Sequence, residues 1–171
     1  GKYEIEQIVR ESYNPIITKI RNLPKPVVAA VNGVAAGAGA NLALCCDITI
    51  ASEKASFIQS FSTIGLVPDS GGTYFLPRLV GLQKATAMIM LADKISATEA
   101  ERIGLIYKCL PVEEFESYAM NLAINLAKMP TYGLALTKQA LNSTFSNTLE
   151  EQLNLEAYLQ SLAGNSYDYT E

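Results

Sequence analysis

Apolar residues recur at three-and-four spacing over residues 3–22, where Ile5, Ile8, Val9, Tyr13, Ile16, Ile17 and Ile20 share one face. The pattern predicts an amphipathic helix, with Pro15 kinking it or opening a second segment capped by Asn14. Leu23-Pro24-Lys25-Pro26 ends the helix and extends the chain. The period then changes. Val27–Val31 is apolar and β-branched, which predicts a buried strand, parallel and covered on both faces. Gly33–Gly39 reads as a turn, Gly39–Cys45 as a short helix and Asp47–Ala51 as the next strand. Ser56–Gln59 is short and extended, and Tyr74–Val80 and Leu82–Leu91 are predicted helices.

Beyond about residue 95 helix dominates. Ser96-Ala-Thr-Glu99 and Thr148-Leu-Glu-Glu151 are capping boxes. Gly104 suits a left-handed stop, and Leu105–Leu110 predicts a strand. Glu113–Lys128 sets Phe115, Tyr118, Leu122 and Leu126 on one face. Pro130 opens a helix to about Phe145, and Thr148 opens one to about Ala163. Strands alternating with helices and then giving way to them predict an α/β core over 1–94 and a helical region over 95–171. The strands are too few to bury both faces of a sheet, so the chain is expected to begin inside a larger protein.

The stretch Val27–Ile50 stands out in this pattern. It has no charge before Asp47, and it sets Gly33, Gly37 and Gly39 among seven alanines. Its length would just span a membrane, but Asn32, Asn41 and the glycines interrupt it. A dinucleotide site wants Gly-x-Gly-x-x-Gly, and Gly37-Ala-Gly39-Ala-Asn-Leu42 lacks the third glycine. No Gly-Lys-Ser/Thr follows for a phosphate loop. Two readings stay open. The small residues serve tight strand–helix packing, or they expose N–H groups at a helix start that stabilise an oxyanion.

Composition narrows the chemistry. The 171 residues, 49% hydrophobic and 18% charged, fit one globular domain, or one with a helical appendage. A net charge of -4 and a pI near 4.9 argue against nucleic acid or an anionic membrane as partner. Cys45, Cys46 and Cys109 lack metal-like spacing and predict buried free thiols in a reducing, cytoplasmic setting. The chain has no histidine, which removes Ser-His-Asp and Cys-His arrangements and ordinary zinc sites. Carboxylates, hydroxyls and the backbone remain. Asp69, between Pro68 and Ser70-Gly71-Gly72, is either the N-cap of a helix over 71–80 or a base in an apolar cleft.

Lys25-Pro-Val-Val-Ala-Ala-Val-Asn-Gly33, the Gly/Ala turn, Cys46-Asp-Ile48, Gly65-Leu-Val-Pro-Asp-Ser-Gly-Gly72 and Ile95-Ser-Ala-Thr-Glu-Ala100 occur in an order that resembles the crotonase (enoyl-CoA hydratase/isomerase) superfamily. The resemblance covers essentially the whole chain. It implies a spiral of ββα units, of which this chain is the C-terminal part, followed by a helical region used in assembling a homotrimer or a dimer of trimers. It also implies acyl-CoA thioester substrates, no cofactor beyond the coenzyme A of the substrate itself, and an oxyanion hole of two N–H groups. One of these falls on Ala38, beside Gly37; the other belongs to a segment upstream of residue 1. Members also tend to continue past Glu171, so the chain in isolation is expected to be inactive and to bind coenzyme A weakly.

Departures from the pattern bear on the reaction. Hydratases of the family carry a Glu at the position of Asn41 and another at Phe61, one to activate water and one to donate a proton. Asp69 matches an acid of isomerase-type members. Val34-Ala-Ala-Gly-Ala-Gly-Ala-Asn41, Ser56-Phe-Ile-Gln59 and Val67-Pro-Asp-Ser-Gly-Gly-Thr73 are similar to ring-epoxide phenylacetyl-CoA isomerases of phenylacetate breakdown, which implies an oxepin-CoA product. On this resemblance Asp69 moves the proton, Ala38 N–H holds the enolate, and Asn41 orients substrate or water. Gly37, Phe61, Ile64, Leu66 and Tyr74 are the candidate acyl-pocket residues. The alternatives are an enoyl-CoA hydratase of fatty-acid β-oxidation and an inactive assembly module of the same fold.

Overall fold

The computed structural model describes residues 4–170; Tyr3, with which the first predicted helix begins, and Gly1, Lys2 and Glu171 lie outside them. Helix α1 (Glu4–Ile8) runs through a π-helical turn (Val9–Tyr13) into α2 (Asn14–Asn22). Pro15 has no N–H to give to the carbonyl four residues back. The chain answers by widening the turn before it, and Asn14 N–H bonds to Val9 O instead. Asn14 itself is helical, at φ -57°, and is not a cap.

The stretch Val27–Ile50 divides into four elements: β1 (Val28–Val31), β2 (Val34–Ala36), α3 (Ala38–Leu44) and the start of β3 (Ile48–Ser52). Strand β2 corrects the expected turn over Gly33–Gly39. A single valine before two alanines is too weak a strand signal by itself, and β2 exists because it pairs in parallel with β4 (Ser56–Ile58), Val34 opposite Ser56 and Ala36 opposite Ile58. The predicted double coverage of β1 also needs correcting: its residues are half-buried and Ala30 is exposed.

A 3-10 turn (Ser62–Ile64) leads to α4 (Gly72–Val80) and α5 (Leu82–Leu91). Then come β5 (Ile95–Ser96), α6 (Ala97–Arg102) and β6 (Lys108–Leu110). The predicted strand over Leu105–Leu110 is shorter because Leu105 and Ile106 both give their N–H groups to Ala100 O, closing α6. Ser96 caps α6, but Glu99 completes no box; its carboxylate takes Arg102 at 2.6 and 2.7 Å. The rest is α7 (Val112–Lys128), α8 (Thr131–Ser143), α9 (Leu149–Gly164) and α10 (Tyr167–Thr170). Thr148 and Glu151 form the full box at α9, and the Thr148 N–H and hydroxyl hold the Glu151 carboxyl below its usual range.

Two small sheets result, ordered β1-β3-β6, all parallel, and β2-β4-β5, with β5 antiparallel. The pairs β1/β2 and β3/β4 each give their first member to the first sheet and their second to the other before a helix follows, whereas β5 and β6, separated by α6, join the second and the first sheet in turn. Both sheets end on a strand from beyond residue 94. Phe57, Leu44, Leu76, Met88 and Leu105 fill the main core beside alanines. Cys45 is buried, while Cys46 and Cys109 are only partly so, and all three are free thiols. Among the described residues no helix is long and apolar enough to cross a membrane.

Two close contacts lock this arrangement. Helix α4 approaches α3 where Gly72 faces Asn41, and a Cβ on Gly72 would lie 2.4 Å from Asn41 Nδ2. Just past the C-terminal end of α3, Asp47 receives Val27 N–H (2.8 Å), Arg21 (3.1 Å) and Lys138 (2.7 Å). Lys138, 7% exposed, also donates to Ile20 O and Lys25 O, and Asn142 Nδ2 donates to Arg21 O. Helix α8 is thereby pinned to the end of α2 and the start of β1.

Asp47→Ala leaves the buried Lys138 ammonium without its counter-charge and is expected to cost about 3 kcal/mol in urea unfolding. Gly72→Ala forces α3 and α4 apart and is expected to cost roughly 1–3 kcal/mol by the same measurement.

Candidate active site

Gly37 makes the corner from β2 into α3. Its φ of 53° and ψ of -124° lie where only glycine is comfortable. Its N–H donates to Ile58 O at 2.8 Å, so the corner is tied to β4. A Cβ at Gly37 would sit 3.2 Å from Ser60 Oγ and 3.6 Å from the Phe61 ring, which places Phe61 against the corner. Ala38 is the first residue of α3, and its N–H has no acceptor within the helix, whose first internal bond is Asn41 N–H to Gly37 O.

Asn41, one turn further on the same face, is wholly buried. Its Nδ2 donates to Asp69 O at 2.9 Å, and its Oδ1 accepts from Gln59 Nε2 at 2.8 Å. The Asp69 loop is therefore held on the face of α3 that starts at Ala38. Asp69 O also accepts Gly72 N–H at 2.9 Å. The Asp69 carboxylate accepts the Ser70 hydroxyl at 2.9 Å and is half-buried. It caps nothing: the N-cap of α4 is Gly71, at φ 77°, with no side-chain cap bond. The cap alternative for Asp69 is thus overturned: the chain enters α4 through the left-handed residues Ser70 and Gly71, and the carboxylate bonds the Ser70 hydroxyl instead of a helix N–H.

The other candidates divide. Phe61, 6% exposed, is part of the wall behind Gly37. Ile64 and Leu66 are 68% and 42% exposed, on the 3-10 turn and the irregular segment after it. Tyr74 lines a separate cleft of about 470 Å³ with Arg21, Cys46, Arg78 and Phe145, which no other candidate residue borders. There its ring lies 3.6 Å from the Arg78 guanidinium. The Cys45 and Cys46 thiols both donate to Leu42 O, at 3.1 and 3.4 Å, and the neighbouring Cys46 together with burial pushes the Cys45 thiol up. No group of residues able to hold a metal ion occurs among the described residues.

Gln59 and Ser70 join the site without having been singled out by sequence reasoning. Ser70 adopts φ 52° and is buried, which a non-glycine residue does only when its surroundings insist. The sequence signal for Gln59 was faint, a polar residue closing an apolar extended run.

The site consists of an unpaired helix-start N–H at a glycine corner, a buried amide one turn along, and a carboxylate tethered to that amide through its own carbonyl. Known proteins share the sequence and the fold of this chain. The family model described as enoyl-CoA hydratase/isomerase matches residues 1–171. The 1,2-epoxyphenylacetyl-CoA isomerase of Escherichia coli K12 is 49% identical over 95% of this chain and 62% of its own length. A protein of Rhodobacter capsulatus named "Probable enoyl-CoA hydratase" is 48% identical over 98% of this chain and 65% of its own. The crystal structure of an enoyl-CoA hydratase/isomerase from Cupriavidus metallidurans CH34 superposes with a TM-score of 0.90 at 38% identity, over 94% of this chain and 60% of that one. The chain therefore spans less than two thirds of the length of each of these relatives, and over that span it belongs to the enoyl-CoA hydratase/isomerase family.

Proposed function

We propose that this chain carries the proton-transfer half of an acyl-CoA isomerase that works through a thioester enolate, with 1,2-epoxyphenylacetyl-CoA as the preferred substrate class. Ala38 N–H donates to the thioester oxygen as negative charge develops there, an interaction worth roughly 3–4 kcal/mol per donor in other enzymes. The second donor is supplied from outside residues 1–171, as the family resemblance implies. Asp69 takes a proton from carbon and returns it at a second position, so that atoms are redistributed and none is gained.

The observation that carries this reading is the state of Asn41. Hydration needs a carboxylate there to activate water. The amide is not a base that could take a proton from water, and both of its ends are occupied, by Asp69 O and Gln59 Nε2. Position 61 holds a buried phenyl ring. The carboxylate tied to this face of α3 is that of Asp69, free of any capping task. The separate cleft beside Tyr74 does not join these residues, so Tyr74 has no part in the proposal. The helical region from residue 95 is proposed to serve assembly of a homotrimer.

A second reading, hydratase activity, is favoured by the near-equal identity to the Rhodobacter capsulatus relative. One pair of assays separates the two. In the full-length enzyme Asp69→Asn is expected to lower kcat for isomerisation by about 10²–10⁴-fold with KM little changed; unchanged turnover would rule out Asp69 as base. Water addition to crotonyl-CoA is expected to be far slower than isomerisation, and rates typical of hydratases would reverse the order of the two readings.

A further inference from the structure

We infer that Gln59 and Asn41 are positioning residues for the Asp69 carboxylate, a relay of two side-chain amides that fixes the 69–72 loop against α3. The inference rests on the assignment of Asp69 as the base.

Its polarity is set from one end. Asp69 O can only accept, so Asn41 must turn its NH₂ group toward it, as the 2.9 Å contact has it. That leaves Asn41 Oδ1 facing Gln59, which must donate, and does so at 2.8 Å. Gln59 Oε1 is then turned to a buried position where, among the described residues, nothing meets it. Reversing the Gln59 amide would set two oxygens against each other. The unpaired oxygen is the cost of the polarity that Asp69 O dictates.

The loop needs this hold. Ser70 at φ 52° and Gly71 at φ 77° are consecutive left-handed residues, an arrangement that the surroundings must over-determine. Asn41 Nδ2 and Gly72 N–H both anchor Asp69 O, and Ser70 Oγ fixes the carboxylate itself. An ionised carboxylate at position 41 could not donate to Asp69 O and would repel it. The amide at 41 and the acid at 69 are therefore a matched pair, and Asn41 acts through Asp69 and need not touch substrate.

The test is Gln59→Glu in the full-length enzyme, assayed on 1,2-epoxyphenylacetyl-CoA against wild type at each pH. A protonated carboxyl at 59 donates to Asn41 as the amide does. An ionised one draws the Asn41 NH₂ toward itself and sets Asn41 Oδ1 against the Asp69 carbonyl. The charged side chains on the elements around β4 are Glu99, Glu101 and Arg102 of α6, with Glu99 and Arg102 paired to each other; β2, β5 and α3 carry none. The kcat ratio of variant to wild type is expected to fall roughly tenfold as pH rises through the pKa of the introduced carboxyl, with KM and the circular-dichroism spectrum unchanged. Gln59→Met, which lacks a donor at every pH, is expected to show a similar loss in a ratio that is flat with pH. If Gln59→Glu fails to fold, the methionine variant decides, and unchanged kcat in it overturns the inference. A flat ratio for Gln59→Glu, or a loss confined to KM, also overturns it. Asp69→Asn run alongside separates the two levels: if it is inactive while the Gln59 variants behave as wild type, only the relay fails; if it is active, the base assignment fails and the relay with it.

Discussion

A single buried amide joins three parts of the chain that are distant in sequence. Asn41 on α3 is bonded to Gln59 after β4 and to the carbonyl of Asp69, and Gly72 gives up its side chain to let it in. Inside a protein a polar group this deeply buried must be paired on every side or it costs more than it returns. That demand fixes how far α4 stands from α3, and it fixes the direction in which the loop before α4 leaves β4. The left-handed residues Ser70 and Gly71 are the consequence. With Gly71 as the N-cap, the Asp69 carboxylate is released from the role its place before a helix would otherwise give it.

A second buried polar cluster does for the scaffold what Asn41 does for the loop. Asp47 collects the start of β1, the end of α2 and Lys138 of α8, so the helical region is fastened to the sheets by charge as well as by apolar contact. One cluster sits midway along α3 and the other just past its C-terminal end. The helix carries only small and apolar side chains apart from Asn41, which lets the chain turn at Gly37 and leaves the Ala38 N–H at the corner. A charged residue on this helix would have had to find a partner in a space already filled.

Much of the candidate site was visible in the residues. Gly37, Ala38 and Asn41 stood out because a charge-free Gly/Ala run containing an asparagine has few uses, and Asp69 because an acid among apolar neighbours has few as well. The roles were less visible. Asp69 as cap and Asp69 as base fit the same residues, and it is the φ of Gly71 that separates them. Tyr74 shares a segment with Asp69 but faces a different cleft, since side chains on a helix point in directions that depend on where the helix starts. Gln59 gave almost no signal, because a glutamine matters here through what lies across from it.

Residue pattern alone determined most of the helices, from their periodicity, caps and glycine stops, and the lack of histidine removed His-based catalysis within these 171 residues. These are local properties: a capping box or a missing residue type acts within one turn or not at all. Tertiary structure decided β2, the π-helical turn before Pro15, the pairing of Lys138 with Asp47, and the relay from Gln59 to Asp69. Strand β2 is a valine and two alanines, held as a strand by β4 beside it. Lys138 looks like any surface lysine on a helix until the carbonyls of Ile20 and Lys25 close around it. Pairings of this kind join groups up to 121 residues apart. Each partner offsets the other's loss of water only when both are buried side by side, and no stretch of sequence read by itself can show that.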